Sequence, residues 1–200
     1  TPFAASLNDY RSKYAIDQLN IYWDKNFIDN LFVHFKGDDY IYNVNGKMSF
    51  NVMYRNVLAI DDNTAIQFSN ILKNVDDSML FGISVNSSSA SGEKDALVLL
   101  YPLPLGRVTH YGTVGMIINQ STIENIAGDV FGGSKGTLFV FNNEGEKIFI
   151  LGDKNFLPEE EVGKFASNNH PVGISSTYYN GSKLSILRKF PILQVFVMLL

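Results

Sequence analysis

The phrase LFVHFKGDDYIY at residues 31–42 returns in altered form as LFVFNNEGEKIFI at residues 138–150. Each copy opens with Leu-Phe-Val, breaks at a polar turn containing glycine, and resumes with an isoleucine beside aromatic residues. β-Branched and aromatic residues fit the pleated, half-buried surface of a sheet, and a Gly turn between two such runs reads as a hairpin. A chain that writes this opening twice is restricted to folds that use the same hairpin twice.

The segments after each copy also march in parallel. Asn45-Gly46 is a strong turn signal, and Ser49 offers an N-cap to the helical run FNVMYRNVLAI. A further helix follows, with Asp61 to Thr64 as cap candidates and AIQFSNILKNV as its body. VNSSSASGEKD at 85–95 is small and polar and reads as a loop. ALVLLYPLP at 96–104 is a continuous apolar run, expected as a central strand that must end or reach an edge at Pro102 and Pro104. GRVTHY is a connector and GTVGMIIN at 112–119 another strand.

STIENIAGDVF then begins with Ser121 and Glu124 at capping-box spacing. In the second copy TLFVFN, the turn NEGE and KIFIL form a hairpin, and Pro158-Glu-Glu-Glu-Val opens a helix that runs to about Asn168. GISSTYY, the turn Asn180-Gly181, KLSILRKF and ILQVFVMLL give three closing strands. Ahead of all this, the 3- and 4-residue steps of Leu7, Tyr10 and Tyr14 and of Ile16 and Leu19 predict an amphipathic helix through about Asn20.

Composition narrows the chemistry. A net charge of -4 with no cluster of Lys or Arg argues against a nucleic-acid partner. The chain has no cysteine, which excludes disulfides, thiolate-held zinc and thiol nucleophiles. His34, His110 and His170 stand far apart without metal-ligand spacing, so no metal motif is written. There is no Gly-x-Ser-x-Gly elbow, and Gly132-Gly133-Ser134-Lys135-Gly136 lacks phosphate-loop spacing and precedes a strand. The acidic pairs Asp38/Asp39, Asp61/Asp62, Asp76/Asp77 and the run Glu159–Glu161 read as solvated turns and caps. The expectation is a non-enzyme with no cofactor and no metal.

The order β-β-α-β-β-β, used twice after a long helix, resembles the double Cache (PAS-like) sensor domains of bacterial transmembrane receptors. LFVHFKGDDYIYNVNGKMS leading into FNVMYRN resembles the opening hairpin and helix of a membrane-distal lobe. ALVLLYPLPLGRVTHYGTVGMIINQSTIENI resembles its last two strands and the connecting helix. GTLFVFNNEGEKIFILGD is similar to the first hairpin of a membrane-proximal lobe, with NGSKLSILRKF and QVFVMLL as closing strands. The nearest flavour is the ectodomain of membrane-anchored AraC-type transcriptional regulators or of sensor histidine kinases. The implied fold class is α+β: an N-terminal helical segment at 1–30, a distal Cache lobe at 31–120, and a connecting helix with a proximal Cache lobe at 121–200.

That resemblance implies an extracytoplasmic domain between two transmembrane helices, which accords with a start at Thr1 and a stop inside the apolar run FPILQVFVMLL. It implies a small-molecule ligand in the distal lobe, a conformational signal passed across the membrane, and a homodimer through the N-terminal helix. The amino-acid-binding members carry an Arg-x-Trp-Tyr signature, from which this chain departs: its one tryptophan is Trp23, and Arg55 has no aromatic partners at that spacing. The ligand is left open among a sugar, a carboxylate or another small polar solute. The expected ligand-binding residues are His34, Tyr42, Tyr54, Arg55 and Tyr101, polar or aromatic groups on otherwise apolar strands and on the covering helix. The rival expectation is a non-signalling surface module that adheres through a flat aromatic face.

Overall fold

The computed structural model describes residues 13, 14, 16, 17, 19, 27–85, 94–103, 110–131, 136–141, 147–152, 173–179, 182–189 and 193–199, the last three segments by their backbone. The described positions from 13 to 19 are helical and form α1. There follow β1 (Asn30–Phe35), β2 (Tyr40–Asn43), β3 (Gly46–Ser49), α2 (Phe50–Val52) running into a π-helical stretch Met53–Leu58, and α3 (Asp62–Lys73). Next come β4 (Met79–Val85), β5 (Lys94–Leu103), β6 (Gly112–Asn119), α4 (Gln120–Phe131), β7 (Gly136–Phe141), β8 (Lys147–Leu151), β9 (Gly173–Tyr179), β10 (Ser182–Lys189) and β11 (Leu193–Leu199).

The strands form two sheets, one of six strands in the order β3-β2-β1-β6-β5-β4 and one of five in the order β8-β7-β11-β10-β9. The pairings β1·β2, β1·β6, β2·β3 and β5·β6 in the first, and β7·β8, β7·β11, β10·β11 and β9·β10 in the second, are antiparallel. The fold is thus a mixed one of α-helices with antiparallel sheets. By Cα proximity the chain falls into two compact units, Thr1–Ser78 with Ile83–Asn119, and Met79–Gly82 with Gln120–Leu200. Setting aside β3, each sheet has the same order: its second strand, first, fifth, fourth and third. Phe32 and Phe139, the shared phrase, lie in different sheets, each on the strand flanked by its hairpin partner and by the last strand of its sheet.

In the first sheet β1 is buried on both faces. Leu31 and Val33 form one core with Leu19 of α1, and Ile28, Phe35, Val44, Leu103, Val114 and Met116 pack against it half-buried. Phe32 and His34 face the other way, as the two-residue period of a strand requires. There Phe32 meets Phe68 of α3 edge-on, with ring centroids 6.3 Å apart. Helix α3 is amphipathic, burying Ala65, Phe68 and Leu72. It starts at Asp61, whose carboxylate accepts from the amides of Asn63 and Thr64 at 2.8 and 3.0 Å. Ser49 caps α2 in the same manner, accepting from the Val52 amide at 3.4 Å.

Four sequence expectations move. The turn after β2 is the two-residue loop Val44-Asn45, because the Asn43 side chain accepts from the Asn45 amide at 2.9 Å and Gly46 already belongs to β3. Strands β3 and β4 were not expected: GKMS has no β-branched residue, and the apolar run MLFGISV is broken by Gly82. β5 carries Pro102 in register with Thr113 and ends one residue later. Helix α4 starts at Gln120, so Ser121 lies inside it, and Glu124 accepts from the Gln120 side chain at 2.7 Å instead of closing a capping box. The expected helix at 158–168, the turns at 142–146 and 180–181 and most of the loop 85–95 lie outside the described residues.

Gly115 of β6 lies opposite Phe32 and makes room for its ring. A Cβ at Gly115 would stand 1.9 Å from the Phe32 Cζ, far inside any real contact. Gly115→Ala is therefore expected to cost about 1–3 kcal/mol by overpacking, read as a lower urea midpoint. Adding Phe32→Leu should recover part of that loss, whereas an unchanged midpoint in Gly115→Ala would mean that the ring does not rest there.

Candidate functional site

The face of the first sheet covered by the residue 50–73 helices concentrates buried polar groups. Registers place His34, Ile41, Thr113 and Pro102 in one row across β2, β1, β6 and β5, and Asn43, Phe32, Gly115 and Leu100 in the next. Over these rows the helices lay a chain of rings. His34 lies 5.1 Å from Phe50, Phe50 lies 5.7 Å from Tyr54, and Tyr54 meets Phe68 edge-on at 5.7 Å. Lys73 adds its ammonium 5.7 Å from the Phe50 ring.

His34 is only 2% exposed. Its Nε2 lies 2.9 Å from the backbone carbonyl of Asp38, in the turn between β1 and β2. A carbonyl only accepts, so Nε2 carries the hydrogen and Nδ1 of the neutral ring has a free lone pair. Burial pulls the His34 pKa below its ordinary value, against the opposing pull of the Asp38 carbonyl and carboxylate. Beside the ring lies a cavity of about 10 Å³, room for one water molecule, lined by His34, Thr113, Lys36, Lys73 and His110 among others.

Tyr54 is 7% exposed, and among the described residues its hydroxyl has no hydrogen-bond partner. Burial pushes the phenol up to about 12, while the nearby Ser69 hydroxyl pulls slightly the other way without closing a bond. The residue rides on the π-helical stretch, whose C-terminal Ala59 is left-handed at φ 49°. π-Helical insertions recur at functional sites, and a non-glycine residue in that region stores about 1 kcal/mol or more of strain. Orphaned hydroxyl, wide helix and strained residue therefore fall within one short segment.

The five residues expected at the site divide into three groups. His34 and Tyr54 share the covered face, joined through Phe50. Tyr42 pairs with Val33, and Tyr101 with Val114, so both belong to the opposite face, with α1. There the Tyr42 hydroxyl donates to the Asp38 carboxylate at 2.6 Å, and its ring lies 5.5 Å from Phe35. Arg55 follows Tyr54 on the helix, where one residue's step turns the side chain about 100°. It is exposed and meets Asp62 at 3.6 Å, a surface pair that contributes little. Sequence reasoning missed Phe50, Thr113 and Lys73. Phe50 looked like a helix start, and only register puts Thr113 beside His34.

No family model matches the chain, and no curated protein matches it. Among solved structures it is similar to the periplasmic sensory domain of the Campylobacter jejuni chemoreceptor Tlp1, with TM-score 0.48 and 14% identity over 98% of this chain and 86% of that one. It is also similar to the ligand-binding domain of the Pseudomonas aeruginosa PAO1 amino-acid chemoreceptor PctC in complex with GABA, with TM-score 0.39 and 11% identity over 98% and 91% of the two chains. A third is the extracellular domain assigned to a histidine kinase, rpHK1S-Z16, with TM-score 0.47 and 14% identity over 98% and 84%.

Two stability effects follow from the geometry. Removing the orphaned hydroxyl by Tyr54→Phe should raise the unfolding free energy of the ligand-free protein by about 1 kcal/mol, measured by urea titration, and a loss of similar size would show that the hydroxyl is bonded. The lowered His34 pKa means that the unfolded chain binds the proton more readily. That contribution is fully present above the unfolded value of 6.5 and is lost as pH falls toward the folded value. Urea midpoints should therefore rise between pH 5 and pH 7, and rise less in His34→Gln.

Proposed function

We propose that this chain is the extracytoplasmic sensing domain of a membrane-anchored bacterial signalling protein, and that it has no enzymatic activity of its own. The observation that carries the reading is the strand order shared by both sheets, second-first-fifth-fourth-third, with helices between the second and third strands of the first sheet. That order is the plan of a PAS-like lobe, and its use twice after a leading helix supports a double Cache arrangement on this reading. A small polar molecule would bind on the covered face of the first sheet, which carries the buried His34 ring and the unsatisfied Tyr54 hydroxyl.

Signalling on this reading is a two-state equilibrium, biased by the ligand's difference in affinity for the two states. The continuous backbone from β6 into α4 supplies the route to the second sheet. Helix α1 docks Leu19 on the first sheet and leaves Tyr14 exposed, a surface suited to a homodimer. An AraC-type regulator or a histidine kinase is the output domain that this arrangement would serve.

A thermal-shift screen of amino acids, organic acids and sugars tests the reading. A ligand at a hundred times its dissociation constant adds about 2.7 kcal/mol. For about 200 residues that is a rise in Tm of about 5–10 °C. The expected result is a ligand whose shift shrinks in Tyr54→Phe. No shift from any compound class would sink ligand sensing by this face.

A further inference from the structure

We propose that the cavity between His34 and Thr113 binds one oxygen of a small oxyanion, and that His34 takes up a proton on Nδ1 when it does. The inference concerns an anion site at the end of the β1–β6 row and holds whether or not the chain signals.

Two polar side chains face this cavity from nearly complete burial, His34 at 2% and Thr113 at 4% exposure. They are direct neighbours, paired across β1 and β6. The His34 Nε2–H is committed to the Asp38 carbonyl. Among the described residues the structure records no hydrogen bond at Nδ1 or at the Thr113 hydroxyl. Both side chains line the same water-sized space. Such polar groups hold an oxygen atom there, from water or from a ligand.

Charge favours the oxyanion. Lys36 and Lys73 line the cavity, and His110 is its other titratable group. Both lysines are exposed, so they attract an anion at its mouth without being buried themselves. A neutral His34 offers a lone pair at Nδ1, which an oxyanion cannot use. A proton from solvent converts Nδ1–H into a donor, and the new imidazolium then faces the anion across a charge-assisted hydrogen bond. Asp38 and Asp39 already favour that proton, while burial and Lys73 oppose it. The bound anion tips this balance. Tyr42 faces away, its hydroxyl engaged with the Asp38 carboxylate.

The linkage has a definite sign. Affinity is constant below the pKa of His34 in the free protein and falls by up to about tenfold per pH unit between the free and bound pKa values. Above the bound pKa it levels off. The test is an NMR titration of the whole chain with sodium sulfate, ionised throughout the range, and, separately, with sodium acetate, mostly ionised at its lower end, with the free acetate concentration corrected for its own protonation. The His34 ring Cε1–H resonance is followed at pH 5.5, 6.5 and 7.5 at fixed ionic strength. Calorimetry in buffers of different ionisation enthalpy counts the protons.

Saturable binding of at least one anion is expected, weakening as pH rises, with uptake approaching one proton. Thr113→Val should weaken it about tenfold, as loss of a hydrogen bond to a charged group does. Thr113→Ser should preserve it. Lys73→Gln, at an exposed position that folding tolerates, should weaken it a few-fold. No saturable shift with either anion, pH-independent affinity, or full binding in His34→Gln each overturns the proposal.

Discussion

The structure of the first unit depends on β1 having no wet face. The strand pairs with β2 on one side and β6 on the other, and its side chains enter two separate cores. Burying Leu31, Phe32 and Val33 contributes about 1.5–3 kcal/mol for each side chain, more than any exposed ion pair here. It also fixes register, because a slip of one residue would exchange the two faces entirely. A polar residue on such a strand must find its partner locally. His34 does so in its own hairpin turn, at the Asp38 carbonyl, and the same residue's carboxylate takes the Tyr42 hydroxyl from the other face. Asp38 thus satisfies polar groups on both sides of the sheet with one turn.

That turn also shows how far sequence reasoning reaches. The hairpin, the apolar run of β5, the strand β6 and the caps at Ser49 and Asp61 were all legible, since each is written in a few consecutive residues. The alternation of Phe32 and His34 against Leu31, Val33 and Phe35 was legible for the same reason. What pairs with what was not. Tyr42 and His34 fall on opposite faces because the β1–β2 turn sets Tyr42 against Val33 and Ile41 against His34, and that register is not written in the residues of either strand alone. Arg55 went astray through the turn per residue of a helix, and β3 because four residues without strand preference follow their neighbour by hydrogen bonding alone.

The covered face has the opposite character from an idealised core. Phe32, Phe68 and Leu100 fill it to closure near Gly115, while polar atoms collect toward the β1–β2 turn. An orphaned hydroxyl in such a place costs about 1–3 kcal/mol, and the left-handed Ala59 adds to the strain. Folding alone supplies no reason to keep both in one segment. A ligand that satisfied the hydroxyl would return that energy on binding, which is the physical link between a strained segment and the sensing role proposed for this face.

The second sheet provides the internal control. Its phrase LFVF aligns with LFVH, so Phe141 stands where His34 stands. Phe139 and Phe141 stack with ring centroids 6.4 Å apart, and both are buried. Phe139 pairs with Phe196 where Phe32 pairs with Gly115, so the second sheet has a bulky residue at the position where the first has none. The same strand plan therefore carries an apolar stack in one sheet and a histidine beside a water-sized cavity in the other. Divergence at the fourth residue of the repeated phrase replaces packing with hydrogen-bonding capacity, and it does so in the sheet that also holds the unsatisfied tyrosine.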